Sequence, residues 1–132
     1  MLKRKIYDDL LRWKSRSDKM CLIVKGARQV GKTFIIEQFA SENYKACTTL
    51  NFEKNPAFKA IFDGDLDTET LIRQISLRVP GASLVPCETL LFLDEIQSCP
   101  RARTALKFLT QDGRFDVIAT GSTSLSGVCP MR

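Results

Sequence analysis

Apolar residues along this chain fall into two alternating patterns. Short, mostly apolar runs, typical of buried or half-buried strands, occupy residues 20–24, 47–52, 89–93 and 117–119. Segments with apolar residues three and four positions apart, typical of helices, occupy residues 32–40, 54–62, 68–79 and 100–110. Because strands that alternate with helices require crossover connections, the pattern predicts an α/β fold with a mainly parallel sheet of about four strands.

The N-terminal segment, residues 1–19, is predicted to be a basic amphipathic helix followed by a polar link. A helix over residues 3–14 places four apolar side chains on or near one face, with Lys and Arg between them. These side chains are Ile6, Leu10, Leu11 and Trp13. We expect Trp13 to pack against the core, which residues 20–132 form.

Length and composition predict one soluble globular domain. The chain has 132 residues, of which 44% are hydrophobic and 27% charged. No apolar run approaches the roughly 20 residues that a membrane span needs. The basic N-terminus lacks the apolar segment of a signal peptide, so we expect a cytoplasmic protein with no membrane partner.

The net charge of +5 is unevenly distributed. Residues 1–32 hold ten of the 20 Lys and Arg but three of the 15 Asp and Glu. This basic N-terminal face is a candidate surface for nucleic acid or for a protein partner. The alternative is a solvated helix flank combined with the cations of a phosphate site.

The five cysteines argue against a structural zinc site. They form no C-x-x-C pair, and the chain has no histidine. Their odd number and wide spacing fit a reducing compartment.

A glycine-rich segment between the first strand and the next helix fits the phosphate-binding pattern G-x-x-x-x-G-K-[ST]. Glycines let the backbone wrap around phosphate oxygens, and the helix N-terminus adds partial positive charge. The lysine can reach the β- and γ-phosphates, and the threonine hydroxyl can ligate Mg²⁺. The predicted binding residues are Gly26, Ala27, Arg28, Gln29, Val30, Gly31, Lys32 and Thr33.

Two acidic residues follow the apolar run at 89–93 and complete this site in the prediction. A carboxylate at the carboxyl edge of a parallel sheet lies where ligands bind in such folds. Asp94 is therefore the candidate Mg²⁺ residue, and Glu95 is the candidate base that activates water. The alternative is a strand end with two solvated acids.

Three further polar residues are candidates at the same edge. Thr120 or Ser122 could hydrogen-bond the γ-phosphate or the attacking water, although Thr-Gly-Ser also occurs in ordinary turns. Asn51, at the end of the second strand, could bond Glu95 and hold it out of line until a partner binds.

Several motifs together resemble a family of prokaryotic AAA+-type ATPases whose members carry a C-terminal domain of unknown function. They are Lys25–Thr33, Leu50–Pro56, Leu93–Gln97 with Cys99-Pro100, and Thr104–Phe108. The resemblance runs from about residue 4 to residue 122. It implies a P-loop NTPase fold, a three-layer α/β/α sandwich, with ATP or ADP and Mg²⁺ as cofactors. It also implies that Lys32 and Thr33 bind phosphate and Mg²⁺, that Asp94 and Glu95 are the acidic pair, and that Thr120 or Ser122 is the sensor.

The chain departs from that family after the fourth strand. Members continue into a fifth strand, an arginine-finger region and a further domain, so this chain resembles a truncated ATPase core. An arginine finger contributes about 10³–10⁵ in rate, so we expect poor turnover. Loss of the fifth strand would expose the edge of the phosphate-loop strand, which would favour self-association.

Four functions remain open from the sequence. The first is an ATP-hydrolysing core, and the second is a nucleotide-binding switch without significant turnover. The third is a P-loop kinase of a small metabolite, and the fourth is a nucleic-acid-associated ATPase. The choice between adenine and guanine nucleotides is also open, since no base-reading motif is visible.

Overall fold

The computed structural model describes residues 2–16, 20–26, 31–122 and 127–130. Within these residues the strands are β1 (Leu22–Gly26), β2 (Ala46–Asn51), β3 (Thr89–Asp94), β4 (Asp116–Ser122) and β5 (Gly127–Pro130). The helices are α1 (Leu2–Lys14), α2 (Lys32–Asn43), α3 (Thr68–Arg78) and α4 (Pro100–Asp112). Two short 3₁₀ helices lie at Pro56–Phe62 and Ile96–Ser98.

The strands form one sheet in the order β2-β3-β4-β1-β5. The first four strands of that order are parallel to their neighbours, which confirms the predicted mainly parallel α/β sheet. Strand β3 has all six residues buried, as expected for a strand that is covered on both faces. The four predicted apolar runs are therefore the four parallel strands.

Two apolar cores, one on each face of the sheet, give the three-layer α/β/α arrangement. One core joins α1 and α2 to the sheet, and the other joins α3, α4 and the 3₁₀ helix Pro56–Phe62 to the opposite face. Alternate strand residues supply the two cores: Phe92 faces the first and Leu93 the second.

Helix α1 packs much as its apolar pattern predicts, with one exception. Ile6, Leu10 and Trp13 are buried, and the indole N–H of Trp13 donates to the carbonyl of Met20 at 2.6 Å. Leu11, expected on or near the same face, is 41% exposed instead. It lies one position beyond Leu10, which rotates it about 100° away from the buried stripe.

The predicted missing fifth strand and exposed edge of β1 are corrected by β5. This short strand pairs antiparallel with β1, opposite Leu22 to Lys25. Strand β1 therefore lies between β4 and β5, and the argument for self-association through its free edge no longer applies. Four residues ending in Pro130 give too short a pattern for sequence periodicity to identify a strand.

Among the described residues, no helix has the length and apolar character needed to cross a membrane.

Candidate functional site

The start of α2 lies where the phosphate-binding pattern placed it, after β1. Gly31 adopts a left-handed conformation, with φ 73° and ψ 29°, and precedes the first helical residue, Lys32. A left-handed turn at this point favours glycine, since a Cβ would raise its energy. Ala27, Arg28, Gln29 and Val30 lie outside the described residues, so their predicted contacts with phosphate stay predictions.

Lys32 lies at the N-terminus of α2 and is buried, with 4% of its surface exposed. Its Nζ donates to the carbonyl oxygen of Gly121, at the end of β4, over 3.0 Å. The ammonium group is thus held at the carboxyl edge of the sheet, beside a helix N-terminus that also attracts anions.

Thr33 and Asp94 meet at the same edge. The Thr33 hydroxyl donates to Asp94 Oδ2 at 2.9 Å, and Asp94 is 2% exposed. A hydroxyl and a carboxylate are the hard oxygen ligands that Mg²⁺ prefers. Among the described residues no three Cys, Asp or Glu side chains cluster around a metal position. Mg²⁺ needs no such cage, because water and phosphate oxygens supply most of its ligands, so this donor set fits Mg²⁺ bound together with a nucleotide.

Asp94 accepts hydrogen bonds from two further residues on neighbouring strands. The amide of Asn51 donates to Oδ2 at 3.1 Å, and the hydroxyl of Thr120 donates to Oδ1 at 2.5 Å. The three strand ends of β2, β3 and β4 therefore converge on one buried carboxylate. Such a set of donors fixes the carboxylate and satisfies it away from water.

Glu95 points away from Asp94 because the chain turns at this residue. It has φ 60° and ψ 52°, a left-handed conformation that costs a non-glycine residue about 1–2 kcal/mol. Strained backbone of this kind concentrates at functional sites. The turn ends β3 and starts the 3₁₀ helix Ile96–Ser98, so Asp94 and Glu95 face different surroundings.

The chain belongs to a known family on the evidence of its sequence. A family model described as "AAA domain" matches residues 18–128. The chain is an AAA domain. The predicted resemblance to AAA-type P-loop ATPases is confirmed, and nucleotide binding with ATPase chemistry is supported at the level of the family.

A solved structure of PCH-2 from C. elegans has a similar fold. The two share 14% sequence identity with a TM-score of 0.50 over 91% of this chain and 36% of that one. At this identity the likeness concerns the fold alone, and the AAA domain spans about a third of the length of that chain. No curated protein matches the sequence.

Asn51 of the AAA domain differs from its predicted contact. It was expected to bond Glu95, but its amide donates to Asp94, and its Oδ1 accepts from the backbone N–H groups of Glu53 and Lys54. The reason is register: Asn51 lies directly opposite Asp94 in the β2–β3 pair, so both side chains leave the sheet on the same face.

Thr120 and Ser122 have different positions at the end of β4. Thr120 is fully buried; its hydroxyl accepts from the backbone N–H of Glu95 at 2.9 Å while it donates to Asp94. Thr120 thus contacts both acidic residues, and its predicted contact with the γ-phosphate or the attacking water stays a prediction. Ser122 pairs with Gly26 through the backbone, and its side chain lies outside what the structure describes.

The sequence pattern assigned no role to Gln97, which contacts Glu95, or to Glu53, which contacts the same Gln97 amide. Gln97 Nε2 donates to Glu95 Oε1 at 2.8 Å and to Glu53 Oε2 at 3.3 Å. The only sequence signal was that Glu95 and Gln97 are two residues apart. That spacing predicts a contact only for a chain that turns at Glu95, and the left-handed turn is not visible in the sequence.

Proposed function

We propose that this chain binds ATP or ADP with Mg²⁺ and hydrolyses ATP, slowly when it acts alone. The 2.9 Å contact between Thr33 and Asp94, beside the buried Lys32 at the start of α2, carries the proposal. It joins a helix N-terminus, a cation and a pair of hard oxygen ligands at one point of the sheet edge. That combination suits a nucleoside triphosphate bound together with Mg²⁺.

The binding steps follow from the contacts of each side chain. Lys32 exchanges the Gly121 carbonyl for a phosphate oxygen, which offers a charged acceptor in place of a neutral one. Thr33 and Asp94 would hold Mg²⁺, and the Asp94 carboxylate keeps its orientation through Asn51 and Thr120. When bound, Mg²⁺ supplies neutralisation of the charge on the phosphate oxygens.

Glu95 is the proposed general base. Its carboxylate belongs to the residue after the Mg²⁺ residue, and its backbone N–H is fixed by the Thr120 hydroxyl at 2.9 Å. It takes a proton from the water that attacks the γ-phosphate while the β–γ bridging bond breaks and ADP leaves. Ser122 remains the candidate contact to the γ-phosphate.

Slow turnover is part of the proposal because Arg101 and Arg114 are engaged in contacts other than with a nucleotide. Arg101 donates to the backbone carbonyls of Phe62 and Gly64, and Arg114 pairs with Asp112 and Glu69. An arginine at the transition state contributes about 10³–10⁵ in rate, and these two arginines are held away from that role by their described contacts.

A nucleotide-binding switch without significant turnover is the second candidate. The observation in its favour is that the Glu95 carboxylate already accepts a hydrogen bond from Gln97. A nucleic-acid-associated ATPase is less well supported. On α1, both Lys5 and Arg12 form ion pairs with Asp9, which reduces the positive potential of that helix.

Nucleotide titration and phosphate release with matched variants test the proposal. The chain should bind ATP with Mg²⁺ more tightly than without it and should release phosphate slowly. Glu95→Gln should keep the affinity and lose the release by about 10²–10⁴-fold, because the amide cannot accept the proton. Equal release from Glu95→Gln contradicts hydrolysis by this site, and unchanged affinity in Lys32→Ala contradicts the binding site itself.

A further inference from the structure

Gln97 makes the closest described contact to the proposed base. Its Nε2 donates to Glu95 Oε1 at 2.8 Å, which is the only hydrogen bond of the Glu95 side chain among the described residues. Oε2 of the same carboxylate accepts no hydrogen bond from the described residues, and Glu95 as a whole is half-buried. The protein therefore holds one oxygen of this carboxylate.

The same amide lies between two acidic side chains. Nε2 has two hydrogens and reaches Glu53 Oε2 at 3.3 Å as well as Glu95 Oε1. Ser98 Oγ also approaches Glu53 Oε2, at 3.4 Å. Two nearby carboxylates repel each other, and a hydrogen-bond donor shared between them offsets part of that repulsion. The hydrogen bond to Glu95 is the shorter and therefore the stronger of the two.

The backbone around Gln97 is held by packing and by hydrogen bonds. Ile96 is 3% exposed and belongs to the core on the α4 side of the sheet. The N–H of Ser98 donates to the Glu95 carbonyl at 3.1 Å, and the N–H of Cys99 donates to the Ile96 carbonyl at 3.0 Å. These bonds fix the turn that carries Gln97, and the contacts of its own amide hold the side chain.

The amide oxygen of Gln97 lies against the end of β4. A Cβ built on Gly121 would meet Gln97 Oε1 at 3.5 Å, which is an ordinary contact distance. The carbonyl of Gly121 accepts from Lys32 Nζ. Gln97 thus spans from the β4 end, where the phosphate-binding lysine is held, to the loop after β2, which contains Glu53.

We propose that Gln97 is a positioning residue for Glu95. It holds Oε1, and this directs Oε2 toward the water that attacks the γ-phosphate. Glu53 is a weaker anchor at the far side of the same amide. The inference rests on the proposed function only for the consequence to turnover; the contact itself exists without nucleotide and can be tested without it.

The contact is tested by the side-chain amide resonances of Gln97 in the ¹⁵N-labelled chain without nucleotide. The resonances are assigned by their loss in Gln97→Ala. A hydrogen bond to a carboxylate should shift one amide proton, and Glu95→Gln should change that shift more than Glu53→Gln does. Asp65→Asn, an exposed carboxylate elsewhere, should leave it unchanged. Gln97 resonances that do not respond to Glu95→Gln overturn the inference.

The consequence for turnover is tested by separating affinity from rate. Gln97→Ala should keep the nucleotide affinity and lower the rate of phosphate release by about 10- to 100-fold, as misplaced catalytic groups do. Gln97→Glu keeps the shape but cannot donate when ionised, so it should lower the rate at least as far. Gln111→Ala, at an exposed glutamine of α4, is the matched control and should have the rate of the natural chain.

The outcomes separate the two proposals. A natural rate in Gln97→Ala overturns the positioning role. Absence of phosphate release from the natural chain, with nucleotide bound, overturns hydrolysis and the catalytic part of the inference together. In that case the amide shift still decides whether Gln97 holds Glu95.

Discussion

Asp94 and Glu95 are adjacent in sequence, yet the structure treats them in opposite ways. Asp94 ends a buried strand and accepts hydrogen bonds from three residues on three different elements. Glu95 sits in a strained left-handed turn, with one described side-chain partner. The difference teaches that the core of a domain can fix the carboxylate proposed to bind Mg²⁺, whereas the carboxylate proposed as the base is half-buried and less tightly held.

Removal of the buried carboxylate should have the largest effect on stability. Asp94→Ala leaves the donors of Thr33, Asn51 and Thr120 without their acceptor. We expect the free energy of unfolding to fall by about 3 kcal/mol and Tm to fall by about 10 °C. Thermal unfolding measures this change.

Asp65→Ala provides the matched control for that experiment, since Asp65 is an exposed carboxylate. Its Tm should stay close to that of the natural chain. If Asp94→Ala unfolds at the same temperature as the natural chain, then the hydrogen bonds to the Asp94 carboxylate do not stabilise the domain. Mg²⁺ should also no longer tighten nucleotide binding in Asp94→Ala.

Loss of the Thr120 hydroxyl should have a smaller effect that reaches both acidic residues. Thr120→Val keeps the shape but leaves Asp94 Oδ1 and the N–H of Glu95 without this partner. The free energy of unfolding should fall by about 2 kcal/mol, as for buried groups left unsatisfied. Chemical denaturation is the measurement, and Thr120→Ser, which keeps the hydroxyl, should recover most of the loss. Equal stability of the Val and Ser variants would contradict the described contacts.

A substitution at Glu95 should have the smallest effect and the opposite sign. Glu95→Gly relieves the left-handed strain, so the free energy of unfolding should rise by about 1 kcal/mol while phosphate release is lost. Cys87→Gly is the matched control, since Cys87 also has a positive φ, of 68°, and is exposed. Thermal unfolding should show both variants to be stabilised. Only Glu95→Gly should lose turnover, and a destabilised Glu95→Gly would show that the turn carries no strain.

The sequence predicts the parts of this molecule that repeat a simple pattern. The four parallel strands, the burial of Trp13 and the meeting of Thr33 with Asp94 follow from apolar periodicity and from the phosphate-binding motif. Residue type and strand position are sufficient there, because parallel strands end at a common edge.

The parts that the sequence does not predict depend on register and on single backbone conformations. The hydrogen-bond partner of Asn51 depends on which residue lies opposite it in β3. The contact between Glu95 and Gln97 depends on the left-handed backbone conformation of Glu95. Strand β5 has four residues and no periodicity to detect. Each of these details requires the three-dimensional arrangement, which single-sequence patterns do not contain.

Strand β5 has a consequence for hydrogen exchange. Successive residues of β1 direct their amide groups to opposite sides, toward parallel β4 or toward antiparallel β5. Amides that face β4 should exchange only when the whole sheet opens, while those that face β5 should exchange whenever that short strand lifts. Amide protons along β1 should therefore alternate between fast and slow exchange, because the hydrogen bonds to β5 open more readily than those to β4.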